Sequence, residues 1–220
     1  MAQTIFSLFP KQGDFFCPRI CFFKRKYSII KVQKITDYVE NYIFFLGNTD
    51  PKKNVPRTLK AYSLYLQCSS LQLPLLIADL KEDVLNETLK KLQIEHIKPH
   101  IHCIGYVPNA DLPYLYNGAY IFLYTSLRES FGIPILEAMA CGTPVITSNT
   151  SSMPEIAGEQ SVLANPYQEQ SITEKLLLLE SDTNLYQQQV IYGLQRIKAF
   201  SWENTANALL SIYSSLNNAQ

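Results

Sequence analysis

The sequence lacks any excess of charge, because 19 Lys and Arg residues balance 19 Asp and Glu residues over 220 positions. A chain without a net charge does not attract nucleic acid or an anionic membrane as a whole. We therefore expect no nucleic-acid partner. Any binding site for an anion has to be built locally, from a few residues.

Cysteine is scarce and irregularly spaced, and no Cys-x-x-Cys pair or Cys/His set with zinc spacing occurs. Cys17 and Cys21 lie four positions apart, but no second pair follows, so we interpret them as ordinary thiols. His96, His100 and His102 cluster in sequence without a carboxylate partner. We predict no metal site. An odd number of cysteines favours a reducing compartment over a disulfide framework, and the full set is Cys17, Cys21, Cys68, Cys103 and Cys141.

Long apolar runs are also missing, since charged residues interrupt the aromatic N-terminal stretch before it could span a bilayer. We expect a cytoplasmic location and leave open a peripheral association with the inner face of the membrane. No Gly-x-Gly-x-x-Gly motif follows the first predicted strand, which argues against a dinucleotide-dependent dehydrogenase.

What the sequence does contain is a regular alternation of short apolar runs with helical patterns, and 47% hydrophobic residues, enough for a sizeable core. This alternation is typical of repeated βα units. We predict an α/β fold with a Rossmann-like, mainly parallel sheet, helices on both faces and additional C-terminal helices. The predicted strands are 42–47, 74–79, 101–107, 119–126, 144–148 and 161–165.

Three regions follow from this pattern. Residues 1–40 show no clear period and form an atypical N-terminal segment, residues 41–200 form the Rossmann-like domain, and residues 201–220 form a C-terminal helix. We also expect Asn54 to cap a helix over about residues 55–68 with its side chain. Four tyrosines are interpreted as packing residues because their spacing mixes two periods, namely Tyr114, Tyr116, Tyr120 and Tyr124.

Two carboxylates flank a predicted helix start in the stretch ESFGIPILEAMACGTPVI. Glu129 precedes the helix, Glu137 lies just over one turn inside it, and Gly132 stands at its N-terminus, where unpaired N–H groups suit a phosphate. Lys53 ends the loop after the first strand and could add a mobile positive charge. From spacing alone, exposed surface charges remain the simpler interpretation of all three charged residues.

The run from Glu129 to Gly158 closely resembles the E-x7-E region of the retaining glycosyltransferases of family 4. Agreement extends to the segments FFLGNTDPKKN, IGYVPNADLPYLYNGAYIFLYTSLRESFG and AFSWENTANALLSIY, so the resemblance covers about residues 42–213. It implies the C-terminal, nucleotide-sugar-binding domain of an enzyme with a GT-B fold. The implied reaction transfers a glycosyl group from a nucleoside-diphosphate sugar with retention of configuration, in polysaccharide or glycoconjugate biosynthesis.

The same resemblance assigns the site. Lys53 would hold the donor diphosphate, Glu137 the nucleotide ribose and Glu129 the transferred sugar, with Lys53 and Glu129 as the catalytic pair. It implies no cofactor and no required metal, since a lysine and helix amides would take the charge of the leaving diphosphate. The other implied donor-binding residues are Gly47, Asn48, Ser130, Phe131, Gly132 and Ile133.

Two departures from the family limit what can be carried over. Asn48 stands where many relatives have arginine, so one phosphate contact is missing or replaced. Residues 1–40 stand where the family has an acceptor-binding domain, so we expect a separate acceptor domain, or self-association through the exposed face. The acceptor would be a saccharide or a lipid-linked saccharide. A truncated module that binds a nucleotide sugar without transferring it is the alternative, and the aromatics available to cover the exposed face are Phe6, Phe9, Phe15, Phe16, Phe22 and Phe23.

Overall fold

The computed structural model describes residues 41–217. The predictions for residues 1–40, including Cys17, Cys21 and the N-terminal phenylalanines, lie outside the described residues. The described part contains one six-stranded sheet in which every neighbouring pair is parallel, with the order β3-β2-β1-β4-β5-β6. The strands are β1 Tyr42–Leu46, β2 Leu75–Ala78, β3 Ile101–Gly105, β4 Ala119–Tyr124, β5 Val145–Ser148 and β6 Val162–Ala164.

Helices connect the strands and extend beyond the last one. Three short 3₁₀ segments, Pro51–Lys53, Glu95–His100 and Ile197–Ala199, complete the described elements. None of the helices in residues 41–217 is long and apolar enough to cross a membrane. The α-helices are α1 Val55–Cys68, α2 Glu82–Leu92, α3 Leu112–Gly118, α4 Ile133–Ala140, α5 Met153–Ala157, α6 Glu169–Ser181, α7 Thr183–Arg196 and α8 Trp202–Asn217.

The sheet is buried on both faces, which explains why its strands read as unbroken apolar runs. In β1, Ile43 and Phe45 belong to the core cluster on one face, while Tyr42 and Phe44 belong to the cluster on the other. This division follows from the two-residue period of a strand. The predicted fold class, a parallel Rossmann-like sheet with helices on both faces, is therefore confirmed.

The local predictions hold with small shifts. The helix predicted over residues 55–68 has those bounds, and each strand is one to two residues shorter at one or both ends than its apolar run. Helix α5 was not predicted. The expectation for Asn54 is wrong: it occupies the N-cap position of α1 but makes no side-chain capping bond. Its backbone is left-handed, with φ of 59°, and its side chain is turned toward the sheet edge instead.

Candidate functional site

Asn54 joins three loops at the carboxyl edge of the sheet. Its side-chain amide donates to the main-chain oxygens of Thr125 at 3.1 Å and Pro166 at 2.8 Å, in a fully buried setting. The main-chain N–H of Leu127 also donates to the oxygen of Lys52 at 2.7 Å. These bonds fix the loop after β1 against the loop after β4, because β1 and β4 are neighbours in the sheet. Residues far apart in sequence are thereby held side by side.

Lys53 and Glu129 form an ion pair at this edge. The Lys53 ammonium lies 2.8 Å from Glu129 Oε1, and the two side chains are only 16% and 13% exposed. Lys53 also donates to the Tyr124 hydroxyl at 3.3 Å and lies 5.0 Å from the centre of its ring. The lysine charge is thus held by a carboxylate, a hydroxyl and an aromatic face at once.

The Glu129 carboxyl is held in its charged form. Burial raises its pKa, but hydrogen bonding with Lys53, Ser126 and Tyr124, together with the lysine charge, outweighs burial and leaves the pKa below its ordinary value. Its main chain is fixed as well. The hydroxyls of Ser151 and Ser152 donate to the Glu129 oxygen at 2.9 and 3.0 Å. The carboxylate is therefore ionised and positioned at neutral pH.

Helix α4 begins immediately after this ion pair. Gly132 caps it in the left-handed region, with φ of 104°, where a side chain would be strained. Within the part of the chain that the structure describes, no acceptor is bonded to the amides of Ser130, Phe131 or Gly132. Unpaired N–H groups at a helix N-terminus, with the positive end of the helix dipole, form an anion site.

Glu137 lies farther along α4 in a different environment. The Tyr116 hydroxyl donates to its Oε2 at 3.0 Å. Burial raises the pKa of Glu137, and the hydrogen bond from Tyr116 offsets only part of this effect. No basic side chain among residues 41–217 forms an ion pair with it. Glu137 is therefore a half-buried carboxylate with one neutral donor, the Tyr116 hydroxyl, and no ion-pair partner among the described residues.

The loop after β1 is shaped by two further predicted residues. Gly47 is buried, and a Cβ there would lie 2.5 Å from the Phe45 ring and 3.2 Å from Val55, so only glycine fits without displacement. Asn48 accepts from the amide of Asp50 at 2.9 Å, which is an Asx-turn. The Asn48 side-chain oxygen thus shapes the loop that presents Lys53.

The structure brings Lys53, Glu129 and the N-terminus of α4 together, and places Glu137 on the same helix. The ring of Phe131 packs edge-on against Phe200 with ring centres 6.0 Å apart, and Phe131 and Ile133 are both exposed. Sequence reasoning missed the hydroxyls of Tyr116 and Tyr124. Both rings are buried as predicted. Their hydroxyls also form hydrogen bonds with Lys53 and Glu137, and the sequence pattern that predicts packing does not predict these bonds.

Among residues 41–217, no group of three or more His, Cys, Asp or Glu side chains could hold a metal ion. The charges at the site include those of Lys53, Glu129 and Glu137, together with the helix dipole. The Asp79 carboxyl also lies near enough to Lys53 for the lysine charge to act on it: burial raises the pKa of Asp79, and Lys53 offsets part of this effect.

A family model described as glycosyl transferases group 1 matches residues 29–196. The chain belongs to the group 1 glycosyl transferases. The O-antigen chain mannosyltransferase B of Escherichia coli is 36% identical over 180 residues, which cover 80% of this chain and 46% of that protein. This group 1 chain therefore spans less than half the length of that curated relative.

Solved structures show the same fold. The C-terminal domain of the group 1 protein LpcC from Francisella tularensis matches with a TM-score of 0.68 at 22% identity, over 87% of this chain and 97% of that domain. Anabaena HepE, solved in complex with UDP and glucose, matches with a TM-score of 0.69 at 19% identity, over 86% of this chain and 52% of HepE. At these identities the likeness concerns the fold alone.

Proposed function

We propose that this group 1 chain is the donor-binding half of a retaining glycosyltransferase that uses a nucleoside-diphosphate sugar. The observation that carries the proposal is the meeting of Lys53, Glu129 and the unpaired amides of α4 at one edge of the sheet. A lysine and a helix N-terminus suit a diphosphate. A charged carboxylate beside them suits the hydroxyls of the attached sugar. HepE, a structural neighbour, was solved with UDP and glucose.

The chemistry assigned to these residues is stabilisation of the leaving group. When the bond between the sugar C1 and the phosphate oxygen breaks, the diphosphate leaves with the electron pair. Lys53 and the α4 amides then stabilise the added charge. An acceptor hydroxyl forms the new bond to C1, and its proton passes to the phosphate oxygen that has left C1. We assign retention of configuration and independence from metal on the resemblance of the E-x7-E stretch, with Glu129 holding the transferred sugar and Glu137 the ribose.

The acceptor is proposed to be a saccharide or a lipid-linked saccharide, since the relative named above acts on an O-antigen chain. We place the reaction in the cytoplasm. Within residues 41–217, none of Cys68, Cys103 and Cys141 forms a disulfide, which supports a reducing compartment.

Lysine substitution tests the diphosphate site directly. We expect Lys53→Ala to weaken binding of UDP, GDP or ADP, whichever binds the wild-type chain most tightly, by about 10- to 100-fold, the cost of losing one charge-assisted contact. Lys52→Ala is the matched control, because Lys52 lies in the same turn, 45% exposed and paired with Asp50. Calorimetric titration measures both. Equal affinities for the two variants would overturn the assignment of Lys53.

A nucleotide-sugar-binding module without transfer activity of its own is the second candidate. The observation in its favour is that the chain spans 46% of the mannosyltransferase it resembles. Radiolabelled sugar transfer to saccharide acceptors separates the two, since both candidates bind the donor and only the first yields a labelled product.

A further inference from the structure

Tyr116 lies behind Glu137 on the side of the protein core. Its ring is fully buried, and it packs edge-on against Phe44 and Phe122 with ring centres 5.4 and 5.0 Å apart. Its main-chain oxygen accepts from the Thr143 hydroxyl at 2.6 Å. Both the backbone and the ring are thus fixed, and the hydroxyl has one place to point. That place is Glu137 Oε2, at 3.0 Å.

In the contact between Tyr116 and Glu137, the tyrosine hydroxyl is the donor and the carboxylate is the acceptor. Burial, and then the charge of Glu137, raise the pKa of Tyr116 well above its ordinary value, so the hydroxyl keeps its proton and donates. Each carboxylate oxygen accepts about two hydrogen bonds. Tyr116 occupies one position on Oε2. Among residues 41–217 nothing donates to Oε1. The carboxylate is therefore held from the core through Oε2, while the side chain stays partly exposed and Oε1 can accept from a ligand.

We propose that Tyr116 is a positioning residue that orients the Glu137 carboxylate to accept both hydroxyls of the donor ribose, and so sets the preference for ribose over deoxyribose. The inference rests on the proposed function, since it assigns the ribose to Glu137. A carboxylate on a helix rotates freely about its terminal bond unless a fixed donor holds it. A carboxylate accepts hydrogen bonds from two neighbouring ribose hydroxyls only when its plane is oriented toward both of them.

The Glu137 carboxylate has acceptor positions left for two hydroxyl donors. Glu137 has no ion-pair partner among the described side chains, and it is half-buried. Buried polar groups are normally hydrogen-bonded. Two neutral hydroxyl donors would satisfy Oε1 and the remaining position on Oε2 without bringing a charge into the site.

The test compares ribonucleotides with their 2′-deoxy counterparts. Tyr116→Phe keeps the ring and removes only the hydroxyl. We expect its affinity for the ribonucleoside diphosphate to fall about five- to tenfold. Its affinity for the 2′-deoxynucleoside diphosphate should fall by no more than about twofold, because that ligand keeps only the 3′ hydroxyl, and a single hydroxyl does not require the carboxylate to be held in one plane. The ratio of the two affinities therefore falls.

Tyr42→Phe is the matched control. Tyr42 is equally buried, lies in the same aromatic cluster and donates to the Leu115 oxygen at 2.7 Å. It should lower the melting temperature much as Tyr116→Phe does and leave the ribose-to-deoxyribose ratio unchanged. A double-mutant cycle adds a second check. In a Glu137→Gln background, Tyr116→Phe should have little further effect, because Tyr116 acts through Glu137.

Calorimetric titrations of the full chain with UDP, GDP and ADP and with dUDP, dGDP and dADP decide the matter. An unchanged ratio of the two affinities in Tyr116→Phe, which means equal losses for the ribose and deoxyribose ligands, would overturn this inference and leave the proposed function standing. Absence of ribonucleotide binding by the wild-type chain would overturn the proposed function, and the inference with it. A ratio that falls in Tyr116→Phe and in Glu137→Gln, but not in Tyr42→Phe, supports the inference.

Discussion

Glu129→Gln is expected to change the affinities for a nucleoside diphosphate and for the matching nucleotide sugar in opposite directions. In the empty site the Glu129 carboxylate neutralises Lys53 at 2.8 Å, and both side chains are largely shielded from water. A diphosphate that binds Lys53 is therefore also repelled by Glu129. The same carboxylate is assigned to hold hydroxyls of the transferred sugar, which a free diphosphate lacks.

The repulsion can be sized from the geometry. A phosphate in contact with the Lys53 ammonium would lie about 6 Å from the Glu129 carboxylate, and at an effective dielectric constant of about 20 two such charges interact by about 3 kcal/mol. Salt screening and partial exposure reduce this to about 1 kcal/mol. Removing the charge should therefore improve the affinity for the nucleoside diphosphate by about fivefold.

The nucleotide sugar experiences the same relief and also loses its hydrogen bond to Glu129. A hydrogen bond to a charged group is worth about 1.5–3 kcal/mol. The ratio of nucleotide-sugar to nucleotide affinity should therefore fall roughly 10- to 100-fold. Because both ligands carry the diphosphate, this ratio isolates the sugar contact, while the affinity for the free diphosphate isolates the charge.

Calorimetric titration of both ligands with wild-type and Glu129→Gln chains provides the measurement. Glu155→Gln is the control, because Glu155 is exposed on α5. If Glu129→Gln weakens both ligands by the same factor, Glu129 does not separate sugar from diphosphate and the assignment is refuted. If neither affinity changes, the ion pair lies outside the pocket.

The remaining predictions concern stability. The pKa of Glu129 is below its ordinary value of 4.5, and that of Glu137 is above it. Glu129 therefore stabilises the fold above about pH 4.5 and loses this contribution as the pH falls through its folded pKa. The charge of Glu137, in contrast, is unfavourable to folding at neutral pH. We expect the free energy of unfolding, measured in urea between about pH 3 and 7, to be lowered by Glu129→Gln and raised by Glu137→Gln only toward neutral pH. If the unfolding free energies of both variants changed equally with pH, this expectation would be contradicted. Separately, Glu180 accepts five hydrogen bonds, from the hydroxyls of Tyr65, Ser69 and Ser70 and the amides of Ser70 and Leu71. Glu180→Gln should lower the free energy of unfolding by about 2–3 kcal/mol. Glu174 is exposed on the same helix α6, so Glu174→Gln should change it very little. Similar losses for the two variants would show that the hydrogen bonds of Glu180 do not stabilise the fold.

The fold was predictable because local signals agree with one another. Helix α1 carries Pro56 in its first turn and Leu59 and Tyr62 on the buried side, so composition and periodicity indicate the same element. Strand β1 is buried on both faces and reads as an apolar run. Short elements are harder, and α5, with five residues, offers less than two turns of periodicity to detect.

The site was less accessible to local reasoning. Lys53 and Glu129 are 76 positions apart, and their meeting depends on β1 and β4 being neighbours, which no local pattern specifies. The family resemblance supplied that information. Asn54 illustrates the opposite problem. Its position before a helix predicts a cap, but two main-chain oxygens that belong to distant loops accept its donors, so tertiary contacts override the local preference.

Under the proposed function, the charges of the site favour an intact nucleotide sugar over either of its parts. Lys53 is neutralised by Glu129, Glu137 has no counter-ion among the described residues, and the helix N-terminus contributes only about half a positive charge. Such a site is expected to bind a free anion only weakly. In the proposed complex the two carboxylates accept hydrogen bonds from hydroxyls, which the sugar and the ribose supply together. Under the proposed function, transfer removes the sugar and leaves the diphosphate facing the Glu129 charge, so the charge that orients the donor also promotes release of the nucleotide product.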